Sequence, residues 1–185
     1  MTNKDEIKIA VAGAGRMGRG IAITFAYAGY PVAIVDSEQR PQADFAELSV
    51  SVYEEIESEL KFLKDAAVLT DEQLKKIKGR VDVVSNDSCG EVLQEAGFIF
   101  EAVSEIVEVK KSTYAWLNTC ASKTAIIAST TSTMLANTLA DFVDKPARFS
   151  NAHWLNPAYL MPLIEISPSQ DTDEATVATL KALFE

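Results

Sequence analysis

Ile7-Lys8-Ile9-Ala10-Val11-Ala12-Gly13-Ala14-Gly15-Arg16-Met17-Gly18 is the stretch whose reading decides the fold. Its first six residues are short, largely apolar and followed by glycines, as in a buried parallel strand. From Met17 to Tyr30 the residues Met17, Ile21, Phe25 and Ala28 recur every three to four positions, which predicts a helix. Gly29 stands where a left-handed C-terminal residue is wanted. Pro31-Val32-Ala33-Ile34-Val35-Asp36 then reads as a second buried strand. Strand, helix and strand within about 30 residues make a βαβ unit, built on parallel strands with a right-handed crossover.

The glycines fit G-x-G-x-x-G at the point where a strand gives way to a helix. Gly13 permits the tight turn, Gly15 lets a pyrophosphate approach the backbone, and Gly18 lets helix and strand pack closely. Gly13, Ala14, Gly15, Arg16, Met17 and Gly18 are therefore assigned to a cofactor loop, with phosphate charge meeting the helix N–H groups. Arg16 and Arg19 oppose the helix dipole, a cost that a bound anion would offset. Asp36, 18 residues after Gly18, is placed to accept from both ribose hydroxyls of an adenosine. That favours NAD over its 2′-phosphorylated form, since no arginine directly follows Asp36, although Arg40 is near.

Further along, Leu48, Val52, Ile56, Leu60 and Leu63 keep helical spacing in the polar stretch from Ser37 to Gly79, which predicts one or two inserted helices. Thr70 with Gln73 three residues later marks the start of a separate short helix. Strands are expected at 81–84, 98–103, 125–129, 148–154 and 163–166. Helices are expected at 106–120, 135–142 and 171–185. Strands alternating with helices indicate an α/β, Rossmann-type, doubly wound and mainly parallel sheet spanning residues 1–185. The chain stops inside or just after a helix without a Gly or Pro signal, so a natural terminus and a boundary inside a longer protein are both open.

At 185 residues the chain can bury a core without a disulfide or metal staple, and no metal site is expected. Cys89 and Cys120 form no CxxC pair and read as reduced thiols. Acidic side chains outnumber basic ones 27 to 17, for a net charge of −10, which argues against nucleic-acid or anionic-membrane partners. With 48% apolar and 24% charged residues the chain is of folded type. No basic leader or long apolar run is seen, so a cytoplasmic location is expected.

His153 is the only histidine, hence the only side chain whose ordinary pKa suits proton transfer near neutrality. Glu165, twelve residues on and flanked by Leu163, Ile164 and Ile166, is a candidate partner. A carboxylate behind an imidazole fixes its tautomer and stabilises the imidazolium. A structural His153 and an outward-facing Glu165 are the alternative.

Gly13 to Gly18 with Gly20-Ile21-Ala22, Glu101-Ala102-Val103-Ser104-Glu105, Ser129-Thr130-Thr131-Ser132, His153-Trp154-Leu155-Asn156-Pro157 and Leu163-Ile164-Glu165 together resemble the NAD-binding domain of the 3-hydroxyacyl-CoA dehydrogenases. The resemblance covers nearly the whole chain. It implies that His153 exchanges the proton of a 3-hydroxy substrate, that Glu165 orients His153, and that Ser132 bonds the substrate oxygen, where it could otherwise cap the helix before Leu135. It implies further that Glu105, Lys110 and Asn156 contact NAD, residues that without it would include a solvated helix face at Glu105 and Lys110. It also implies a following helical domain, absent from these residues, that dimerises and completes the substrate pocket, leaving the isolated chain weak or inactive.

Three departures bear on substrate. Thr130 replaces the family's asparagine. Trp154 and Leu155 replace an aromatic pair, which is expected to reshape the pocket. Positions that would supply a serine and a lysine to coenzyme A fall near Val52 and Glu59, and Glu54, Glu55, Glu57 and Glu59 would repel a phosphorylated nucleotide. The leading expectation is an NAD-dependent enzyme acting on 3-hydroxyacyl-CoA thioesters. A relative acting on a non-CoA 3-hydroxy acid or β-diketone, or a non-catalytic NAD-binding module, are the alternatives. A 6-phosphogluconate-type enzyme shares the glycine start but needs a later lysine motif not found here.

Overall fold

Strand β1 (Ile9–Ala12) is buried along its full length, as its unbroken apolar run predicts. It lies inside a seven-stranded sheet in the computed structural model of the protein, which describes residues 4–185. Helix α1 (Arg16–Ala28) follows, and Gly29, at φ 104°, ends it in the left-handed conformation. Strand β2 (Val32–Val35) pairs parallel with β1.

The polar stretch that follows forms two helices, α2 (Gln42–Asp65) and α3 (Asp71–Lys78). Thr70 and Gln73 cap α3 reciprocally: the Gln73 N–H donates to the Thr70 hydroxyl and the Thr70 N–H to the Gln73 side chain. Strand β3 (Val81–Val84) leads to α4 (Gly90–Glu95), β4 (Phe98–Glu101), α5 (Val107–Cys120), β5 (Ile126–Ser129) and α6 (Ala136–Ala140). Strand β6 (Phe149–Trp154), strand β7 (Ile164–Pro168) and α7 (Glu174–Phe184) complete the chain. Among the α-helices and strands of the described residues, only α4 is not expected from sequence, because six residues are too few to display a helical period.

The sheet order is β3-β2-β1-β4-β5-β6-β7, and β7 alone runs antiparallel. Period-2 alternation sorts the side chains into two cores. Ile9, Val11, Phe98 and Phe100 pack beneath α1, α2 and α7, whereas Ala10, Ala12 and Ile99 pack with Leu93, Tyr114 and Leu139 beneath α4, α5 and α6. Cys89 is buried and Cys120 half-buried, both as free thiols, and burial pushes the Cys89 thiol up to about 11. Among the described residues no helix is long and apolar enough to cross a membrane.

The contact that seats α1 on the sheet is backbone against backbone. A Cβ on Gly18 would lie 2.0 Å from the Gly13 carbonyl oxygen, whereas one on Gly15 would meet nothing within 4 Å. Gly18→Ala is therefore expected to lower stability by about 1–3 kcal/mol or more, since no flexible side chain can yield. Gly15→Ala should cost no more than about 1 kcal/mol at its helix-cap position. Urea denaturation of the two variants checks the contrast.

Candidate active site

Where β1 ends, its neighbours β2 and β4 continue into segments on opposite faces of the sheet, and the glycine loop occupies the opening between them. Gly13 takes φ 118°, and a Cβ there would meet the Ala102 carbonyl oxygen at 2.7 Å. Helix α1 begins at Gly15 with no side chain capping it and no acidic residue in its first turn. Its leading N–H groups are thus left to an external anion, and the open space in front of Gly15 admits one at van der Waals distance. Arg19 is turned back on the protein: its guanidinium donates to the Ala14 carbonyl at 3.0 Å and pairs with Glu55.

Asp36, 3% exposed, ends the other wall of this cleft. It accepts from the Glu38 N–H at 3.1 Å and from Arg40 Nε at 2.8 Å, and Arg40 also pairs with Glu38 at 2.8 Å. Asp36 is expected from sequence to accept from both ribose hydroxyls, with Arg40 near; in the structure Arg40 itself pairs with the carboxylate and partly neutralises it. Gly13, Gly15, Asp36, Arg40, Val103 and Ser104 line a cleft of about 250 Å³. N–H donors for phosphate at an uncapped helix end and a carboxylate one strand away suit a dinucleotide.

A second cleft, of about 260 Å³, lies by the ends of β5 and β6 and is lined by Ser132, Leu135, Asn151, His153, Glu165 and Ser167. Here the antiparallel ladder pairs His153 directly with Glu165, and His153 Nδ1 lies 2.8 Å from Glu165 Oε2. With Nδ1 engaged, proton exchange with a bound molecule falls to Nε2. Ser132 stands in the loop after β5, its N–H donating to Glu105 Oε1 at 2.7 Å and its hydroxyl reaching the same oxygen at 3.3 Å. Ser132 does not cap α6. Thr131 orders that turn instead, accepting from the N–H groups of Thr133 and Met134, while Leu135 begins the helix.

Two sequence-based assignments change. Trp154, expected to reshape the pocket, points to the opposite face of β6 from His153. It packs against Phe25, Phe100 and Phe184 in the other core. Lys110, expected either at the cofactor or on a solvated face, is 1% exposed and stands behind Glu105, so it reaches the cleft through that carboxylate. Asn156 lies exposed in the segment after β6 and Thr130 is half-buried, its N–H bonded to the Glu101 carbonyl.

The acidic helix α2 is also less repulsive than its composition implies. Glu55 pairs with Arg19, and hydrogen bonds from Lys78 and then Lys61 hold the Glu57 carboxyl down at about 2. Val52 is buried, and Glu59 is half-buried, its carboxyl pushed up by burial against the pull of Arg19.

A buried polar cluster around Glu101 was not singled out from sequence. Glu101, fully buried at the end of β4, accepts from Lys110 Nζ at 2.7 and 3.0 Å, from the Tyr114 and Ser129 hydroxyls at 2.7 Å each, and from the Val103 N–H at 3.0 Å. Burial and the adjoining Glu101 push the Tyr114 phenol well above its usual range. The available signal was a carboxylate ending an apolar strand, with a lysine nine residues on.

Comparison with known proteins matches residues 8–185 to the family described as 3-hydroxyacyl-CoA dehydrogenase, NAD binding domain. The chain is 30% identical over 175 residues to the peroxisomal bifunctional enzyme of Homo sapiens, covering 95% of this chain and 22% of that enzyme. It superposes on M. tuberculosis FadB2 with TM-score 0.85 and 27% identity, covering 97% of this chain and 60% of the other. For 3-hydroxybutyryl-CoA dehydrogenase from Escherichia coli the values are TM-score 0.85, 28% identity, 97% and 36%. The chain thus spans less than two thirds of the length of each of these relatives.

Burial works against the charge on Glu105, but the Ser132 N–H, the Thr131 hydroxyl and Lys110 outweigh it and hold the carboxyl below the usual range. A depressed native pKa contributes stability that is present above the ordinary glutamate value and lost as pH falls through the lower native one. The Ser132 amide resonance is therefore expected to move with a single acid midpoint that lies below the ordinary glutamate value. Glu105→Gln should abolish the transition in an NMR titration.

Proposed function

Because the chain belongs to the family of 3-hydroxyacyl-CoA dehydrogenase NAD-binding domains, whose cofactor is NAD, we propose that it serves an NAD-dependent oxidoreductase acting at C3 of a 3-hydroxyacyl-CoA or 3-oxoacyl-CoA. The observation that carries this reading is the 2.8 Å contact between His153 and Glu165 in a cleft shared with Ser132. A module that only binds the dinucleotide needs neither side chain of that pair.

Gly13, Gly15, Gly18 and the start of α1 would hold the pyrophosphate, Asp36 the adenosine ribose, and Glu105 and Asn156 would lie towards the nicotinamide end. When bound, NAD supplies the hydride acceptor or donor. His153 Nε2 removes the hydroxyl proton of the substrate in oxidation and returns it in reduction. Glu165 holds the imidazole through Nδ1 and stabilises its cationic form. The Ser132 hydroxyl orients the substrate oxygen; its reach of 3.3 Å to Glu105 is long for an O–H···O bond, so it can turn to a ligand. Leu135, exposed at the rim, offers an apolar edge to the remainder of the substrate.

A second reading, a 3-hydroxy acid or β-diketone without coenzyme A, draws on α2. Val52 is buried and Glu59 is a carboxylate, so neither offers an anionic nucleotide a donor cation. The helical second domain and the homodimer expected from the resemblance belong to the proposal for the complete enzyme.

NADH oxidation followed by absorbance with acetoacetyl-CoA and with free acetoacetate, on this chain and on the full-length protein, separates the readings. Turnover with the thioester is expected of the full-length protein, and weak or no turnover of this chain alone. His153→Ala should lower kcat about 10²–10⁴-fold with NADH affinity retained. Turnover unaffected by His153→Ala would overturn the acid/base assignment. Turnover with acetoacetate alone would favour the second reading.

A further inference from the structure

Glu101 lines neither of the two clefts described above, yet it receives five hydrogen bonds from four other residues. These come from α5, from β5 and from the turn after β4. A buried carboxylate and ammonium together are costly to desolvate, and an apolar pair of similar size commonly serves a fold as well or better. What an apolar pair could not do is aim a charge.

Lys110 Nζ donates to Glu101 Oε1 at 2.7 Å and Oε2 at 3.0 Å, and it forms an ion pair with Glu105 Oε2 at 3.3 Å. The other oxygen of Glu105 takes the Thr131 hydroxyl at 2.8 Å, the Ser132 N–H at 2.7 Å and the Ser132 hydroxyl at 3.3 Å. A continuous run of charge-assisted hydrogen bonds, joined by one ion pair, thus leads from the sheet interior to the serine that shares a cleft with His153. A second arm leaves Glu101 through the Val103 N–H, fixing the turn whose Val103 and Ser104 line the dinucleotide cleft.

We propose that Glu101 is a positioning residue: by anchoring Lys110 it sets Glu105 and, through Glu105, the place of Ser132 against the cofactor and substrate. The proposal rests on the reading of Ser132 and Glu105 given above. It adds a residue that touches no ligand and acts on both halves of the site.

Lys110 is shared between two carboxylates, and this sharing makes the relay testable. The charged and titratable groups facing Glu105 are Lys110 and, behind it, Tyr114 and Glu101; Thr131 and Ser132 supply its neutral donors. Glu101→Gln releases Lys110 wholly to Glu105, so the acid midpoint of the Ser132 amide should fall by about half a pH unit or more. Lys110→Met removes the cation, so the midpoint should rise by about the same amount. Tyr114→Phe takes one donor from Glu101 Oε2, leaving that carboxylate a stronger competitor for Lys110, so a smaller rise is expected; this variant serves if Glu101→Gln does not fold. A residue that merely stabilised the fold would move all midpoints in one direction. Unchanged midpoints, or shifts of the same sign in Glu101→Gln and Lys110→Met, would overturn the relay.

The readout is the chain's own titration, checked alongside NADH affinity by fluorescence, and needs no turnover. Shifts of opposite sign in a protein that reduces no 3-oxo substrate would leave the relay standing and remove the proposed function. Normal turnover with unmoved midpoints would do the reverse. In the active enzyme, Glu101→Gln should lower kcat about tenfold or more and change KM for NADH less, with partial recovery in Glu101→Asp.

Discussion

Everything that gives this chain a site follows from a reversal in the growth of its sheet. From β1 the chain builds outward through β2 to β3, then returns to add β4, β5 and β6 on the other side. The right-handed crossovers consequently put α1 on one face and α5 on the other. Their departure leaves a crevice at the carboxyl ends of β1 and β4 that neither helix can fill. Gly13 crosses it against the Ala102 carbonyl, and the Gly13 carbonyl in turn seats Gly18. Side chains larger than hydrogen would hold these segments apart.

Charge is managed by the same geometry. The chain carries ten more acidic than basic side chains, yet the cations near the cleft are mostly engaged with protein partners. Arg19 is held by Glu55, Arg40 by Asp36 and Glu38, and Lys110 by Glu101 and Glu105. Attraction for an anionic ligand at the loop therefore rests on backbone N–H groups at an uncapped helix end, whose direction the fold fixes, and not on mobile lysines. Such donors need no reorganisation when the ligand arrives.

How much of this was legible in the sequence depended on the range over which each feature is encoded. Gly29 and the Thr70–Gln73 box announced themselves because their geometry is local. The spacing from Leu48 to Leu63 predicted the long helix α2, since burying one face imposes a helical period. The opposite orientation of Trp154 and His153 was available in principle, because adjacent residues of a strand face opposite sides. The burial of Lys110 was not available: on α5 it has the spacing of any surface lysine, and only the convergence of β4 and β5 beneath it supplies Glu101 and Ser129. His153 and Glu165 were paired by their chemistry and by family resemblance, while the ladder that joins them is a long-range fact.

That ladder separates two properties of the site. Five register pairs, from Ser150↔Pro168 to Trp154↔Ile164, set His153 opposite Glu165, whatever path the chain takes between the two strands. The connecting residues 155–163 can lengthen, shorten or change in shape while the strands keep step, since each added residue in a loop carries only a small entropic cost. A slip of one place in the ladder would instead send Glu165 to the far side of the sheet. The proposed acid–base pair is thereby insulated from variation in the segment beside it, and the loop can be edited without parting His153 from Glu165.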